Sequence, residues 1–63
     1  MPVIHIHMFE GRTKEQKKAL VKAFTQAMVE IAKAPSEHTQ AIIHESPREN
    51  WGSGGELQSE KGK

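Results

Sequence analysis

The sequence predicts an α/β (α+β) fold, a βαβ subunit with parallel strands and a C-terminal loop or short hairpin. Three observations support it: a β-branched run over residues 2–9, a helical repeat of apolar residues after Thr13, and a second β-rich run over residues 39–45. A strand, a long helix and a second strand imply a right-handed crossover, which makes the strands parallel. We predict one domain over residues 1–63, with a polar tail from about residue 57.

Residues 2–9 have the length and composition of a strand, because isoleucine and valine dominate the run. Alternation divides the side chains between two faces. One face carries Val3, His5, His7 and Phe9, and the other carries Ile4, Ile6 and Met8. Both faces are largely apolar, so we expect both to be covered, as in most parallel sheets.

A helix is predicted to begin at Thr13, which forms a capping-box pattern with Gln16 three positions later. Apolar residues then recur at helical spacing. They are Leu20, Val21, Phe24, Ala27, Met28 and Ile31. The dipeptide Ala34-Pro35 should end the helix after about 20 residues, because a residue before proline disfavours the α conformation.

The remaining segments are predicted from turn residues. Residues 36–38 form a short connector, residues 39–45 form the second strand, and residues 46–50 form a turn before Trp51. The glycines at 52, 54 and 55 favour a loop or a short hairpin.

The small size of the chain predicts assembly. A chain of 63 residues rarely stabilises itself with its own core. The chain has no cysteine, which excludes disulfides and cysteine-based zinc sites. Two strands and one helix cannot close a core. We therefore expect a second copy to complete a four-stranded sheet backed by two helices, whose partly apolar face favours further association.

Charge and hydropathy exclude other classes of partner. The net charge is +1, so nothing requires nucleic acid or an anionic membrane as a partner. No apolar run is long enough for a transmembrane span, and no signal peptide is visible. The absence of cysteine is consistent with a cytoplasmic location, which we expect.

Pro2 is the first candidate catalytic residue. Removal of Met1 would leave its secondary amine at the chain terminus. An α-amino group has an ordinary pKa of about 7.7–8.0, and burial or a nearby cation lowers it. The amine would then be a neutral base at pH 7, suited to moving protons next to a carbonyl. The alternative is an ordinary N-terminus without a catalytic role.

Arg12 and Trp51 are candidates for substrate binding. Arg12 lies in the strand-to-helix turn, where a guanidinium could bind a carboxylate bidentately close to a helix N-terminus. Trp51 could form the wall of a pocket and lower its dielectric constant. The alternatives are a solvated turn arginine and a packing residue at a subunit contact.

Two further sets of side chains have weaker functional interpretations. His5, His7 and His44 could bind zinc, although strand histidines more often have structural roles. The lysines at 14, 17, 18 and 22 could form a nucleic-acid or membrane patch, but Glu15 and Glu30 dilute their charge. The sequence contains no evident phosphate-binding glycine loop, paired-carboxylate site or serine–histidine triad.

Taken together, these residues resemble the 4-oxalocrotonate tautomerase family over nearly the whole chain. The resemblance rests on the order and spacing of several short motifs. They are Met1-Pro2, Glu10-Gly11-Arg12-Thr13 followed by Glu15-Gln16-Lys17, Ala34-Pro35, Ile42-Ile43-His44-Glu45, Asn50-Trp51-Gly52 and Gly54-Gly55-Glu56-Leu57.

The resemblance implies a βαβ subunit assembled as dimers that form a hexamer, with active sites built across subunits. It also implies catalysis by Pro2 as the base and Arg12 as the ligand of a substrate carboxylate, with Trp51 as the pocket aromatic. No metal or organic cofactor is expected. The assembly is a homo-oligomer or a hetero-hexamer with a related chain.

One position departs from the family pattern. The family archetype has a second active-site arginine on the second strand, and the matching position here is Gln40. An uncharged amide in place of a charge-assisted partner costs roughly 1–3 kcal/mol, or about 10- to 100-fold in rate. Arg48 in the following turn is a candidate for compensation.

The predicted function is cofactor-independent keto–enol isomerisation of a 2-oxo or 2-hydroxydienoic acid, within aromatic compound degradation. Pro2 is the general base, Arg12 the carboxylate ligand, and Gln40 and Trp51 the other substrate-binding residues. The alternatives are another proline-based reaction of the same superfamily (hydration, dehalogenation or decarboxylation) and a non-catalytic scaffold. Ser53 lies where related dehalogenating enzymes use a glutamate, which argues against dehalogenation.

Overall fold

The computed structural model describes residues 2–61 and contains a parallel β-α-β unit followed by a short hairpin. The elements are β1 (Val3–Phe9), α1 (Lys14–Ile31), β2 (Gln40–Ser46), β3 (Gly52–Ser53) and β4 (Glu56–Leu57). Short 3-10 turns occupy Ser36–His38, Arg48–Asn50 and Gln58–Glu60. The predicted βαβ unit and the C-terminal hairpin are therefore confirmed. The predicted removal of Met1 concerns a residue outside the described part of the chain.

The two long strands are parallel and in full register over seven pairs. Val3 lies opposite Gln40 and Phe9 lies opposite Ser46. The second strand thus begins one residue later than predicted and includes Ser46, because that residue pairs with the last residue of β1. The hairpin is antiparallel, with Gly52 opposite Leu57. The polar segment from about residue 57 therefore starts with a paired strand and a 3-10 turn.

The helix begins at the predicted capping box. The Thr13 hydroxyl oxygen accepts a hydrogen bond from the Gln16 amide at 3.1 Å. The Gln16 side-chain oxygen accepts one from the Thr13 amide at 2.9 Å. These two bonds satisfy amides that a helix N-terminus otherwise leaves unpaired, and the threonine cap contributes about 1 kcal/mol.

The helix ends earlier than predicted. It has 18 residues rather than about 20 and stops at Ile31, before Ala34-Pro35. The cause is Lys33, which adopts a left-handed φ of 59°. This conformation folds the chain back, so that the Ala34 amide donates to the Met28 carbonyl at 3.2 Å. A backbone reversal therefore ends α1 before the restriction imposed by Pro35 applies.

One face of the sheet is covered by α1. Ile4, Ile6 and Met8 are half-buried on this face, and Lys17 of the helix forms an ion pair with Glu45 of β2 at 2.6 Å. Such a partly exposed pair contributes less than about 1 kcal/mol, so the apolar contacts hold the helix on the sheet. No helix within residues 2–61 has the length and hydropathy to span a membrane.

The other sheet face is open in the protomer. Val3 is 43% exposed and Ile42 is 42% exposed, and His5 and His7 are also exposed. We expected both faces of the sheet to be covered. Within residues 2–61 of a single chain, one face is covered and the other is open. An open face that carries large apolar side chains is typical of an association surface.

No residue between 2 and 61 is buried in the isolated protomer. The radius of gyration is 14.9 Å, against about 11 Å expected for an independent globular domain of this length. The principal extents are 44 × 24 × 14 Å, so the chain is a flat layer of helix on sheet. A chain with this shape gains most of its hydrophobic burial from contacts with other chains.

Folding is therefore expected to depend on protein concentration. Each tenfold increase in total protein shifts the folding equilibrium of a dimer by about 1.4 kcal/mol, so Tm should rise with concentration. Thermal unfolding followed by circular dichroism over a hundredfold concentration range measures the effect, with sedimentation at the same concentrations as the control. A concentration-independent Tm in a sample that sediments as a monomer would contradict this expectation.

Candidate active site

The start of the sheet holds two of the candidate residues. Pro2 is half-buried immediately before β1, and Gln40 begins β2. The Gln40 amide donates to the Pro2 carbonyl at 3.0 Å, which fixes the two backbones side by side. We call this pair, Pro2 and Gln40, the amine end of the sheet.

The opposite end of the sheet holds the other two candidates. We call Phe9, Arg12, Arg48 and Trp51 the arginine end. The Arg12 Nη1 donates to the Phe9 carbonyl at 3.4 Å. The rings of Phe9 and Trp51 lie 4.6 Å apart with a 59° tilt, and the guanidinium carbon of Arg48 lies 4.4 Å from the Phe9 ring centroid. Phe9 therefore contacts all three other residues.

Local backbone geometry explains the position of Arg12. Gly11 has a φ of 121°, a conformation that L side chains rarely adopt, and it redirects the chain between β1 and α1. Arg12 consequently lies immediately before the N-cap Thr13. The partial positive charge of the helix N-terminus adds to that of the guanidinium at this point, which favours an anionic ligand.

Trp51 is held by the segments on both sides of it. Its amide donates to the Arg48 carbonyl at 3.3 Å, and its carbonyl accepts from the Gln58 amide at 2.8 Å. The first bond closes the 3-10 turn, and the second ties the tryptophan to the turn that follows the hairpin. The indole is half-buried and packs on the tilted Phe9 ring, and its exposed part is accessible to a ligand.

The two guanidinium groups of the arginine end have no ion-pair partner among residues 2–61. Within residues 2–61 the one ion pair joins Lys17 and Glu45, so neither guanidinium has a carboxylate partner there. Arg12 and Arg48 are both exposed. The contact of Arg48 with an aromatic ring leaves its charge intact, because a ring quadrupole attracts a cation without neutralising it. Two guanidinium groups beside two aromatic rings form a site suited to a planar carboxylate.

The two ends are too far apart to form one site within a protomer. Six strand steps of about 3.3 Å separate Val3 from Phe9, or about 20 Å. The structure thus brings Pro2 close to Gln40, and it brings Arg12 and Trp51 each into contact with Phe9. It does not bring Pro2 and Gln40 to the arginine end. A small substrate cannot contact both groups of one chain.

The three strand histidines form a separate cluster on the open sheet face. His5 Nδ1 lies 2.8 Å from His44 Nε2, and the His7 and His44 rings stack at 4.5 Å. Within the described residues, no group of three or more histidine, cysteine or acidic side chains is arranged to hold a metal ion. The zinc interpretation therefore has no geometric support in this part of the chain.

A shallow groove extends from Arg12 along α1. Its lining residues are Arg12, Gln16, Ala19, Leu20 and Ala23. A second groove, near the far end of the helix, contains no candidate residue and is lined by Lys22, Thr25, Gln26, Val29 and Ser36. The first groove thus extends the arginine end along an apolar helix surface.

Phe9 is the site residue that the sequence alone did not identify. Its position as the last apolar residue of a strand predicts packing, and it does pack on Trp51. The sequence did contain a signal for its role in the site. Phe9 ends the strand immediately before Glu10-Gly11-Arg12, the turn that carries the candidate carboxylate ligand Arg12.

Comparisons with known proteins identify the family of the chain. The family model described as tautomerase enzyme matches residues 2–61. The 2-hydroxymuconate tautomerase of Comamonas testosteroni is 46% identical over 63 residues, covering 100% of both chains. That of Pseudomonas putida is 44% identical over 63 residues, also covering 100% of both chains.

Solved structures of similar proteins have the same fold. A chain of the 4-oxalocrotonate tautomerase isozymes from Methylibium petroleiphilum superimposes with a TM-score of 0.89 at 45% identity, covering 98% of this chain and 100% of the other. The heterohexamer 4-oxalocrotonate tautomerase from Chloroflexus aurantiacus J-10-fl gives a TM-score of 0.89 at 34% identity, covering 97% of this chain and 98% of the other. On the fold and the full-length matches, this chain belongs to the tautomerase family of isomerases.

Proposed function

We propose that Pro2, as a free N-terminal secondary amine, is the general base with which this tautomerase isomerises a 2-hydroxydienoic acid to its 2-oxo form. The observation that carries the proposal is the arrangement of the sheet, with an amine end and an arginine end at opposite ends of β1. The substrate class follows from the relatives named 2-hydroxymuconate tautomerase. A diacid of that kind matches the positive charge of the arginine end.

The complete site forms between two protomers. β1 pairs with β2 on one side, and its other edge has no strand partner within residues 2–61. An exposed strand edge favours pairing with another chain. If two copies of β1 pair antiparallel across a twofold axis, the Pro2 of one chain approaches the Phe9 of the other. Each dimer then contains two equivalent sites, each with the amine end of one chain and the arginine end of its partner.

Three such dimers assemble into a hexamer in this proposal. The open sheet face, with Val3, Ile42 and the strand histidines, supplies the surface for this further association. A heterohexamer is known for the related enzyme of Chloroflexus aurantiacus J-10-fl, so an assembly with a related chain is the alternative to six identical chains.

The reaction is an internal proton transfer. The Pro2 nitrogen accepts the proton of the 2-hydroxyl group, the electrons of the dienol shift along the conjugated chain, and the same proton returns to a distal carbon. The product is a 2-oxo acid with the same composition as the substrate. Arg12 binds a carboxylate and stabilises the negative charge that develops during the transfer. The Phe9 and Trp51 rings exclude water and strengthen these interactions.

Gln40 has a more limited role than an arginine would have at its position. Its backbone lies against that of Pro2, and its side chain is exposed. Its amide group can donate a hydrogen bond to the oxygen on the second carbon of the substrate, but it adds no charge. Turnover is therefore slower than with a charged donor there, unless another cation contributes.

The charge of the site sets the direction of the Pro2 pKa. In the assembled site, the partner's arginine end disfavours the protonated amine and lowers its pKa below the ordinary 7.7–8.0 of an α-amino group. The neutral base is the active form, so activity rises as the pH increases through that lowered pKa. The reaction requires no metal or organic cofactor, and we place it in the cytoplasm, in the degradation of aromatic compounds.

The variant Pro2→Ala tests the base directly. It replaces a rigid secondary amine with a more mobile primary amine, so kcat/KM for 2-hydroxymuconate should fall by about 100-fold or more, within the range attributed to general-base catalysis. Activity is followed by the ultraviolet absorbance of the conjugated acid, and intact mass establishes that Met1 is absent. Sedimentation serves as the control for assembly, which the substitution should leave unchanged.

Full activity of a processed, correctly assembled Pro2→Ala protein would remove Pro2 from the mechanism. Full activity of a sample in which Met1 is retained would do the same, because an amide nitrogen has no basic lone pair. Either result would leave the scaffold without an assigned base.

Arg12 is expected to contribute both binding and rate. The variant Arg12→Ala removes a bidentate ligand of the carboxylate, so KM should rise and kcat/KM should fall by about 10- to 100-fold. The variant Arg12→Lys should lose less, because it keeps the charge but not the planar pair of donors. Steady-state kinetics measures both, and equal kcat/KM values for wild type and Arg12→Ala would exclude this residue from substrate binding.

A further inference from the structure

We propose that Arg48 is a second substrate-binding cation, which binds the other carboxylate of a diacid and gives the enzyme its preference for dicarboxylates. This inference rests on the function proposed above, because it concerns the same site. It assigns a role to a turn residue outside the strands and the helix.

The position of Arg48 is defined by the turn that also positions Trp51. Arg48 begins the 3-10 turn after Pro47, whose φ is −68°, and its carbonyl accepts the Trp51 amide at 3.3 Å. Its guanidinium carbon then lies 4.4 Å from the Phe9 ring centroid. The pocket aromatic and this cation are thus fixed by one short backbone segment, so a ligand that stacks on Trp51 lies within reach of Arg48.

The contact with Phe9 orients the guanidinium without consuming its hydrogen-bond donors. A cation above a ring is attracted by the ring quadrupole, an interaction that uses none of the hydrogen-bond acceptors a guanidinium needs for its N–H groups. No carboxylate within the described residues pairs with it. An arginine in this state is prepared for a carboxylate, since little side-chain freedom remains to be lost on binding.

The distribution of charge in the chain selects Arg48 for this role. The sequence has two arginines, and both contact Phe9. Arg12 contacts the Phe9 carbonyl, and Arg48 contacts the Phe9 ring. Of the cations that contact the sheet, Lys17 is already paired with Glu45. At the amine end, Gln40 offers an uncharged amide. The second positive group available to a diacid is therefore Arg48, which belongs to the arginine end together with Arg12.

Substrate selectivity distinguishes this role from a structural one. Wild type and Arg48→Ala are compared on 2-hydroxymuconate and on the matching 2-hydroxydienoate in which hydrogen replaces the distal carboxylate. We expect kcat/KM of the variant to fall about 10- to 100-fold for the diacid, mainly through KM, and to change less than about twofold for the monoacid. Arg48→Lys should retain an intermediate preference, because it keeps the charge.

Three controls keep the test decisive. Arg48→Gln keeps part of the side-chain stem and a planar polar group but removes the charge, so it should match Arg48→Ala in selectivity if charge is the cause. Lys18→Ala removes one exposed positive charge on the helix and should leave both substrates unaffected. The fluorescence of Trp51, the only tryptophan, reports whether the pocket wall has moved.

Equal losses on both substrates, or no loss on the diacid, would overturn the assignment of Arg48. A shift of Trp51 emission in Arg48→Gln together with equal losses would assign Arg48 to packing instead. Neither outcome affects the role of Pro2, because Pro2→Ala should lower kcat/KM by about 100-fold or more on both substrates whatever Arg48 does. Failure of this inference and failure of the proposed function are therefore separate results.

Discussion

The length of β1 is the constraint on which the rest of this structure depends. Seven residues of strand separate the amine end from the arginine end by about 20 Å, and the diacid proposed as the substrate is too short to span that distance. The same short chain buries no side chain between residues 2 and 61. In the proposed mechanism, stability and chemistry therefore have the same requirement, a second chain. The pairing that would cover the free edge of β1 would also bring the amine end of one chain to the arginine end of the other.

Phe9 connects the parts of the arginine end. Its carbonyl accepts from Arg12, and its ring contacts Trp51 and Arg48. Because Phe9 is the last residue of β1, the position of the whole cluster is tied to the register of the sheet. Ion pairing plays little part in this arrangement, since the pair of Lys17 and Glu45 lies on the helix-covered face. Local turns, at Gly11 and at Arg48–Asn50, bring the candidate site residues to the strand end.

Much of this fold could be predicted because its signals are local. The alternation of β1 assigned its faces correctly, and the Thr13 and Gln16 pair located the start of the helix. The helix end was missed because Lys33, rather than a glycine, adopts the left-handed conformation, and no side-chain pattern indicates it. The grouping of the site was not predicted from the residues alone, because it depends on register: Pro2 and Gln40 meet at one end only once the strands are paired. Phe9 was predicted to pack, and its connection to two arginines appears only in three dimensions.

A subunit-mixing experiment tests the central claim, that each site takes its base and its carboxylate ligand from different chains. Pro2→Ala and Arg12→Ala proteins, each of reduced activity, are unfolded together in equal amounts and refolded, with separately refolded samples as the control. A mixed pair has one site with both residues intact, so the shared-site account predicts recovery of about a quarter of wild-type activity after random assembly. If the mixture were no more active than the separately refolded samples, although mixed oligomers had formed, the shared site would be contradicted.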